Sequence, residues 1–264
     1  MPQHRAEHEG GHDTFYRTDL GPARVRLAWL VALEPIFDTY ALGSAEQQEH
    51  AQEVVGGRPF EADLTRGTVT FGSELTVRAE LVGTEAADPG SWMWSWANPS
   101  GFPDAVTGAA RHARGYGEQH GVTELTTSEL PLDGAPVGYR MTVVTCGLAG
   151  GYAFYPAVAA PGTTAYLLLD SPALALPPVQ LTRVLTVLTS VAAAGQIQDW
   201  RRALHTYAGQ RGLEARPDDS AVELAHPGQG SIRVELDQLG RVADITAELQ
   251  SEPPAKKGLF GRRK

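Results

Sequence analysis

The residues best suited to chemistry stand in one short stretch, Ser91–Ser100 (SWMWSWANPS). Trp92, Trp94 and Trp96 recur at every second position, a period that puts them on one face of an extended strand. The strand should stop at Asn98-Pro99, because proline has no N–H for a ladder and drives the preceding residue out of the helical region. Two readings of that indole face compete. It is the hub of a core on which a helix packs, since large aromatic side chains dominate core energetics. Alternatively it lines a groove where a ligand or partner chain stacks, with Asn98 and Ser100 as polar handles. His112 and Tyr116 follow closely and would cap such a groove.

Other chemistry is sparse. No G-x-S-x-G elbow, P-loop, strand-borne G-x-G-x-x-G or H-E-x-x-H occurs. The single cysteine, Cys146, rules out an internal disulfide and a cysteine metal cage. It would act as a nucleophile only beside a histidine that lowers its pKa, and its apolar neighbours (MTVVTCGLAG) point to an inert buried thiol. Gly147, Gly150 and Gly151 read as a helix stop rather than a phosphate cradle. His4, His8 and His12 are four apart, but Gly10 and Gly11 oppose the helix that would align them, so the metal signal is weak. No cofactor and no metal are expected.

The elements that would position these residues follow from periodicity. Apolar residues at helical spacing run from Leu27 to about Val55, weakened by Pro35 and Gly43, which suggests two shorter helices. Short alternating runs at 60–64, 68–71 and 75–82, then the tryptophan strand, form an antiparallel meander of four strands. A helix fits Asp104 to about Gln119, with Asp104 as its N-cap. Residues 121–136 resemble a linker. A short buried helix fits Tyr139–Cys146, and a hairpin fits 152–169 around Pro161-Gly162. After prolines at 172, 177 and 178 come two helices and three strands ending near Gln250.

The fold class expected is therefore α+β, an antiparallel β meander covered by helices and followed by a smaller ααβββ module. The division is a flexible lead-in (1–25), a domain at 27–172, the module at 177–250 and a basic tail at 251–264. Hydrophobic content of 42%, charged content of 20% and a net charge of −9 suit a soluble cytoplasmic protein and speak against a nucleic-acid-coating surface. No apolar stretch approaches the length of a membrane span, and the lead-in lacks the apolar core of a secretion signal. In the tail, Lys256, Lys257, Arg262, Arg263 and Lys264 flank Leu259-Phe260, a pattern able to touch an anionic membrane or an acidic partner weakly.

Four segments stand in a recognisable order: PFEADLTRGTVTF (59–71), the run 75–84, WMWSWANPS (92–100) and RGYGEQHGVTEL (114–125). Together they resemble an uncharacterised bacterial domain of unknown function, whose hallmark is a Trp-x-Trp-x-Asn-Pro-Ser stretch after a β meander. The resemblance spans roughly residues 30–170 and leaves the ααβββ module outside. It implies boundaries, and no activity comes with it. The function expected from the residues is that of a non-enzymatic binding or adaptor protein, taking a protein partner or a small ligand at Trp92–Ser100. One alternative is an enzyme with a small-molecule pocket between the meander and helix 104–119, using His112, Tyr116 or Cys146. The other is a purely structural domain.

Overall fold

The computed structural model describes residues 32–150 and 153–250; the polar lead-in with its histidines and the basic tail lie outside them. Among the described residues the first element is one unbroken helix, α1 (Glu34–Val55), not two; the start expected at Leu27 lies outside them. Pro35 falls in its first turn, where a backbone N–H has no helical partner to lose. Gly43 sits mid-helix, where the end of the Gln210 side chain comes close enough that a Cβ would have to displace it.

The meander follows as β1 (Phe60–Asp63), β2 (Thr68–Phe71), β3 (Leu75–Ala86) and β4 (Ser91–Trp94). β3 is the spine. Its first half pairs with β2 and its second half with β4, all antiparallel, while β7 (Thr163–Asp170) runs along its other edge. β6 (Ala153–Ala160) pairs with β7 as the expected hairpin, and the sheet reaches seven strands. Part of that total was expected to be linker. Residues 121–136 contain α3 (Thr123–Thr126) and β5 (Glu129–Pro131), and β5 pairs with the tryptophan strand. The three-residue pairing explains its poor legibility, since so short a run shows no alternation.

Two helices pack across this sheet. After a 3-10 turn at Asp104–Val106 comes α2 (Gly108–His120), followed later by α4 (Val137–Ala149). Asp104 does not cap α2. Glu80 of β3 does so, its Oε2 accepting from the Ala109 N–H at 2.7 Å. Glu85, farther along β3, accepts from the Gly138 N–H at 2.9 Å at the start of α4. A bulge between Leu81 and Gly83 resets the alternation between these two glutamates. Each carboxylate meets a helix N-terminus, where unpaired N–H groups and the helix dipole favour negative charge. Gly147 does not stop α4 as expected. It lies inside the helix, where the Tyr40 ring covers it too closely for a side chain, and the helix ends at Gly150.

The remaining chain forms α5 (Leu181–Ala194), α6 (Trp200–Arg211) and a four-stranded antiparallel sheet ordered β11-β10-β9-β8. Its strands are β8 (Glu214–Pro217), β9 (Ala221–His226), β10 (Gly230–Leu236) and β11 (Val242–Leu249). β8 is one more strand than the three expected; its sequence, Glu-Ala-Arg-Pro, is mostly polar and exposed.

The core has two parts. One apolar cluster runs from Leu33, Phe37 and Trp92 through Val143 and Phe154 to Leu188, Trp200, Val222 and Val234. A second lies on the opposite face of the seven-stranded sheet, with Val69, Phe71, Leu81, Leu167 and Leu169. Alternate residues of β7 serve the two clusters, so this strand is buried on both sides.

Candidate functional site

The tryptophans split two ways. Trp92 and Trp94 are wholly closed to solvent and meet edge to face, ring centroids 5.5 Å apart, with Tyr166 5.6 Å from Trp92. The Trp94 indole N–H donates to the Glu124 carbonyl at 3.1 Å. Trp96 does not continue the strand. The chain leaves the ladder after Trp94 and winds into a single 3-10 turn at Ser95–Ala97, so the expected stop at Asn98-Pro99 comes too late. The half-buried Trp96 ring stacks on Trp94 at 6.4 Å, and the Arg114 guanidinium sits 4.6 Å from its centroid. Asn98 Oδ1 accepts from the Ser100 N–H at 2.9 Å. That closes an Asx turn, so the Asn98 side chain serves the backbone, while Ser100 is exposed.

His112 and Tyr116 lie on the other flank of α2. At roughly 100° per residue, Arg114 is about 200° round the helix from His112. The buried stripe Ala109, Ala113 and Gly117 runs between the two flanks. The seven residues expected to line one groove are thus divided among the interior, a turn and two flanks of a helix. Tyr116 stacks on His120 with centroids 4.2 Å apart.

A shallow cleft of about 250 Å³ opens on the His112 side, lined by Glu80, Gly108, Ala109, His112, Leu148 and Ala149. It lies between β3 and α2, with the last turn of α4 as its apolar wall. Glu80 is engaged on both oxygens, by the Ala109 N–H and by Arg78 at 2.8 Å. Of the lining residues only His112 was legible as a candidate. The others come from three segments brought together by tertiary packing, and nothing in their local spacing announces that.

Several ionisable groups are closed to chemistry. Burial pushes the Cys146 thiol far up, so it stays protonated and cannot serve as a thiolate nucleophile. Burial likewise raises the Tyr139 phenol to about 12. Among the described residues, no grouping of three or more His, Cys, Asp or Glu could hold a metal ion, and no helix is long and apolar enough to cross a membrane. Glu124 is buried with neither carboxylate oxygen hydrogen-bonded, and the indole N–H groups of Trp92 and Trp96 and the Ser95 hydroxyl are buried without partners too.

The model of DUF6882, a family of unknown function, matches residues 34–172, from the first turn of α1 to just past β7. The chain belongs to this family. The DUF6882 region therefore holds the tryptophan motif, α2 and every residue of the cleft, while α5, α6 and the four-stranded sheet lie beyond it. No curated protein and no solved structure matches the chain.

A second polar region ties the DUF6882 segment to α5, α6 and the loop between them. On α1, Asp38 accepts from the N–H groups of Gln198 and Asp199 at 3.1 and 2.8 Å, just before α6. Glu46, fully buried, accepts from the Tyr207 hydroxyl at 2.9 Å and pairs with Arg211 at 2.8 Å. Glu53 holds Arg183 of α5 through both oxygens, at 2.8 and 2.6 Å. Within the family region, Gln48 exchanges two bonds with the Phe154 backbone. These residues escaped sequence reasoning, which looked along α1 for an apolar stripe.

Proposed function

We propose that the protein is a non-enzymatic binding protein whose ligand seat is the cleft between β3 and α2, walled by the last turn of α4. The observation that carries this reading is the cleft itself, a concave surface with an apolar side at Leu148 and Ala149 and an exposed imidazole, His112, at its rim. Its volume suits a compact molecule or a single side chain of a partner. The apolar wall would take the body of such a ligand, and His112 would hydrogen-bond its polar end. Trp92 and Trp94 contribute by filling the interior beside α2.

The enzymatic alternative places a pocket in the same position and draws on the same histidine. Cys146 is no candidate for its nucleophile in this protonated, buried state. Binding without turnover needs only the cleft and its rim.

The experiment is native mass spectrometry of protein purified gently from its own cells, beside a His112→Trp variant that fills the cleft. A bound mass or partner present on the wild type and lost from the variant, with an unchanged melting temperature, supports the reading. The same bound mass on both, or on neither, rejects the cleft as the seat. A bound compound that is consumed on incubation would favour the enzyme.

A further inference from the structure

The four-stranded sheet has two edges that differ in kind. β8 is four residues long and ends in Pro217, and its charges are satisfied within the sheet, Arg216 pairing with Glu214 and with Glu223 of β9. β11 is eight residues long without proline or lysine, and among the described residues it pairs with β10 alone. A bulge at Ala243 interrupts its start, and beyond that bulge residues 244–249 run in regular register. The Gln250 N–H donates to the Gln229 carbonyl at 2.9 Å. Antiparallel alternation from that bond turns the N–H and C=O groups of Asp244, Thr246 and Glu248 towards β10. Those of Ile245, Ala247 and Leu249 face the open side, where no hydrogen bond meets them among the described residues.

The side chains alternate as well. Ile245, Ala247 and Leu249 lie on the core side, with Ile245 opposite Val234 and Ala247 opposite Ile232. α5 packs over β10 and β11 on that side, yet its Leu185 and Ala192 are only half-buried, and Ala247 and Leu249 are exposed. The apolar layer between helix and sheet is therefore open along β11. On the opposite face stand Asp244, Thr246 and Glu248, and neither acid has an ion pair among the described residues.

We propose that β11 binds an extended segment of a partner protein in which apolar and basic residues alternate, added to its open edge as a fifth strand beside α5. Ile245, Ala247 and Leu249 supply the main-chain donors and acceptors. The partner's apolar side chains continue the row Val222, Val234, Ile245 and cover the open flank of α5. Its basic side chains stand on the other face, across from Asp244 and Glu248. A slip of one residue would reverse both sets, so the alternation selects the register. A second copy fits less well. Two β11 strands joined through residues 245, 247 and 249 would bring to Asp244 and Glu248 only Val242, Thr246, Gln250 or one another, and no cation, in a protein whose net charge is −9. This surface lies outside the DUF6882 region and is independent of the cleft at His112.

The alternation also supplies the test. The probe is an acetylated, amidated hexapeptide of alternating lysine and valine, titrated into the full-length chain and followed by amide hydrogen exchange in NMR spectra. At saturation the Ile245, Ala247 and Leu249 amides should exchange about tenfold more slowly, while those of Thr246 and Glu248, already bonded to β10, change little. A glutamate–valine hexapeptide should protect none of them. Ala247→Pro deletes an outward N–H and leaves the β10 ladder whole, so it should weaken binding about tenfold at an unchanged melting temperature. Asp244→Lys combined with Glu248→Lys should reverse the choice of peptide. Equal protection of all five amides, binding that ignores Ala247→Pro, or no binding of the lysine–valine peptide would overturn the proposal. Slow exchange at the same three amides without peptide would overturn it too. If that protection is lost on dilution, the edge belongs to a second copy; if it is lost on ending the chain at Gln250, the edge belongs to the chain's own tail.

Discussion

Around Trp94 the indole N–H groups of Trp92 and Trp96, the Ser95 hydroxyl and both oxygens of Glu124 are buried without a hydrogen-bond partner. Along α1, Asp38, Gln47 and Gln48 each bond to the backbone of another element and Glu46 Oε2 meets both Tyr207 and Arg211, while Glu46 Oε1 and Gln52 Oε1 are buried without a hydrogen bond. The first region is held by area and shape. Its rings bury so much surface that the loss of a few polar partners is tolerated. The second is held by direction, since its carboxylates Asp38 and Glu46 each accept from donors on α6 or the segment just before it. The first should respond to deleted volume and the second to deleted partners.

The largest effects test that division. Trp94→Ala removes a fully buried ring and should cost about 3–5 kcal/mol in urea unfolding. Trp96→Ala, two residues on, should cost less, about 1–2 kcal/mol, because that ring is only half-buried between Trp94 and the Arg114 guanidinium. Equal costs would mean that the two indoles share one core role. In the other region, Glu46→Ala removes almost no apolar area, yet should cost about 3 kcal/mol by leaving the Arg211 charge buried. Because α1 and α6 still share one apolar cluster through Phe37, Ala41, Leu204 and Tyr207, the variant's unfolding curve should remain a single transition. Two transitions would instead show residues 177–250 unfolding independently.

Glu124→Leu carries the opposite sign. The carboxylate has no partner to lose, so replacing it with an apolar chain of similar length should stabilise the protein by about 1–2 kcal/mol. A rise in melting temperature supports that account. A fall would reveal an acceptor role for Glu124 that the ligand-free molecule does not use.

The division also explains what could be read in advance. A period-two row of indoles is visible in any sequence, and Trp92 and Trp94 occupy the strand face it predicts. Trp96 breaks the row because the Asx turn at Asn98 must be entered from a tightly wound chain, and alternation does not encode that bend. The α1 network is hidden for another reason. Its inward face mixes Phe37, Ala41 and Ala45 with Asp38, Glu46 and Gln48, so an apolar stripe understates it, and the partners lie more than 100 residues away. The cleft suffers the same way. Glu80, Gly108 and Leu148 become neighbours only when β3, α2 and α4 pack.

The smallest effect is a pH slope, and it has different signs at two aspartates. Asp38 sits in the α1 network, where burial raises its pKa above the ordinary 3.8 and outweighs the two backbone N–H bonds that lower it. Its folded form holds a proton more readily than the unfolded chain, so its contribution to stability falls as pH rises through the interval above 3.8. Asp218, exposed in the turn between β8 and β9, is the reverse. The Ser220 N–H, then Arg233 and the Ala221 N–H, pull its pKa down to about 2. Its contribution is present above pH 3.8 and is lost as pH falls towards 2. Thermal melts from about pH 2 to 6 should therefore show the wild type losing its advantage over Asp218→Asn on acidification. Over Asp38→Asn, the advantage should shrink as pH rises instead. Parallel slopes for the two variants would mean that Asp38 is better satisfied than buried, and that the α1 network tolerates its charge at no desolvation cost.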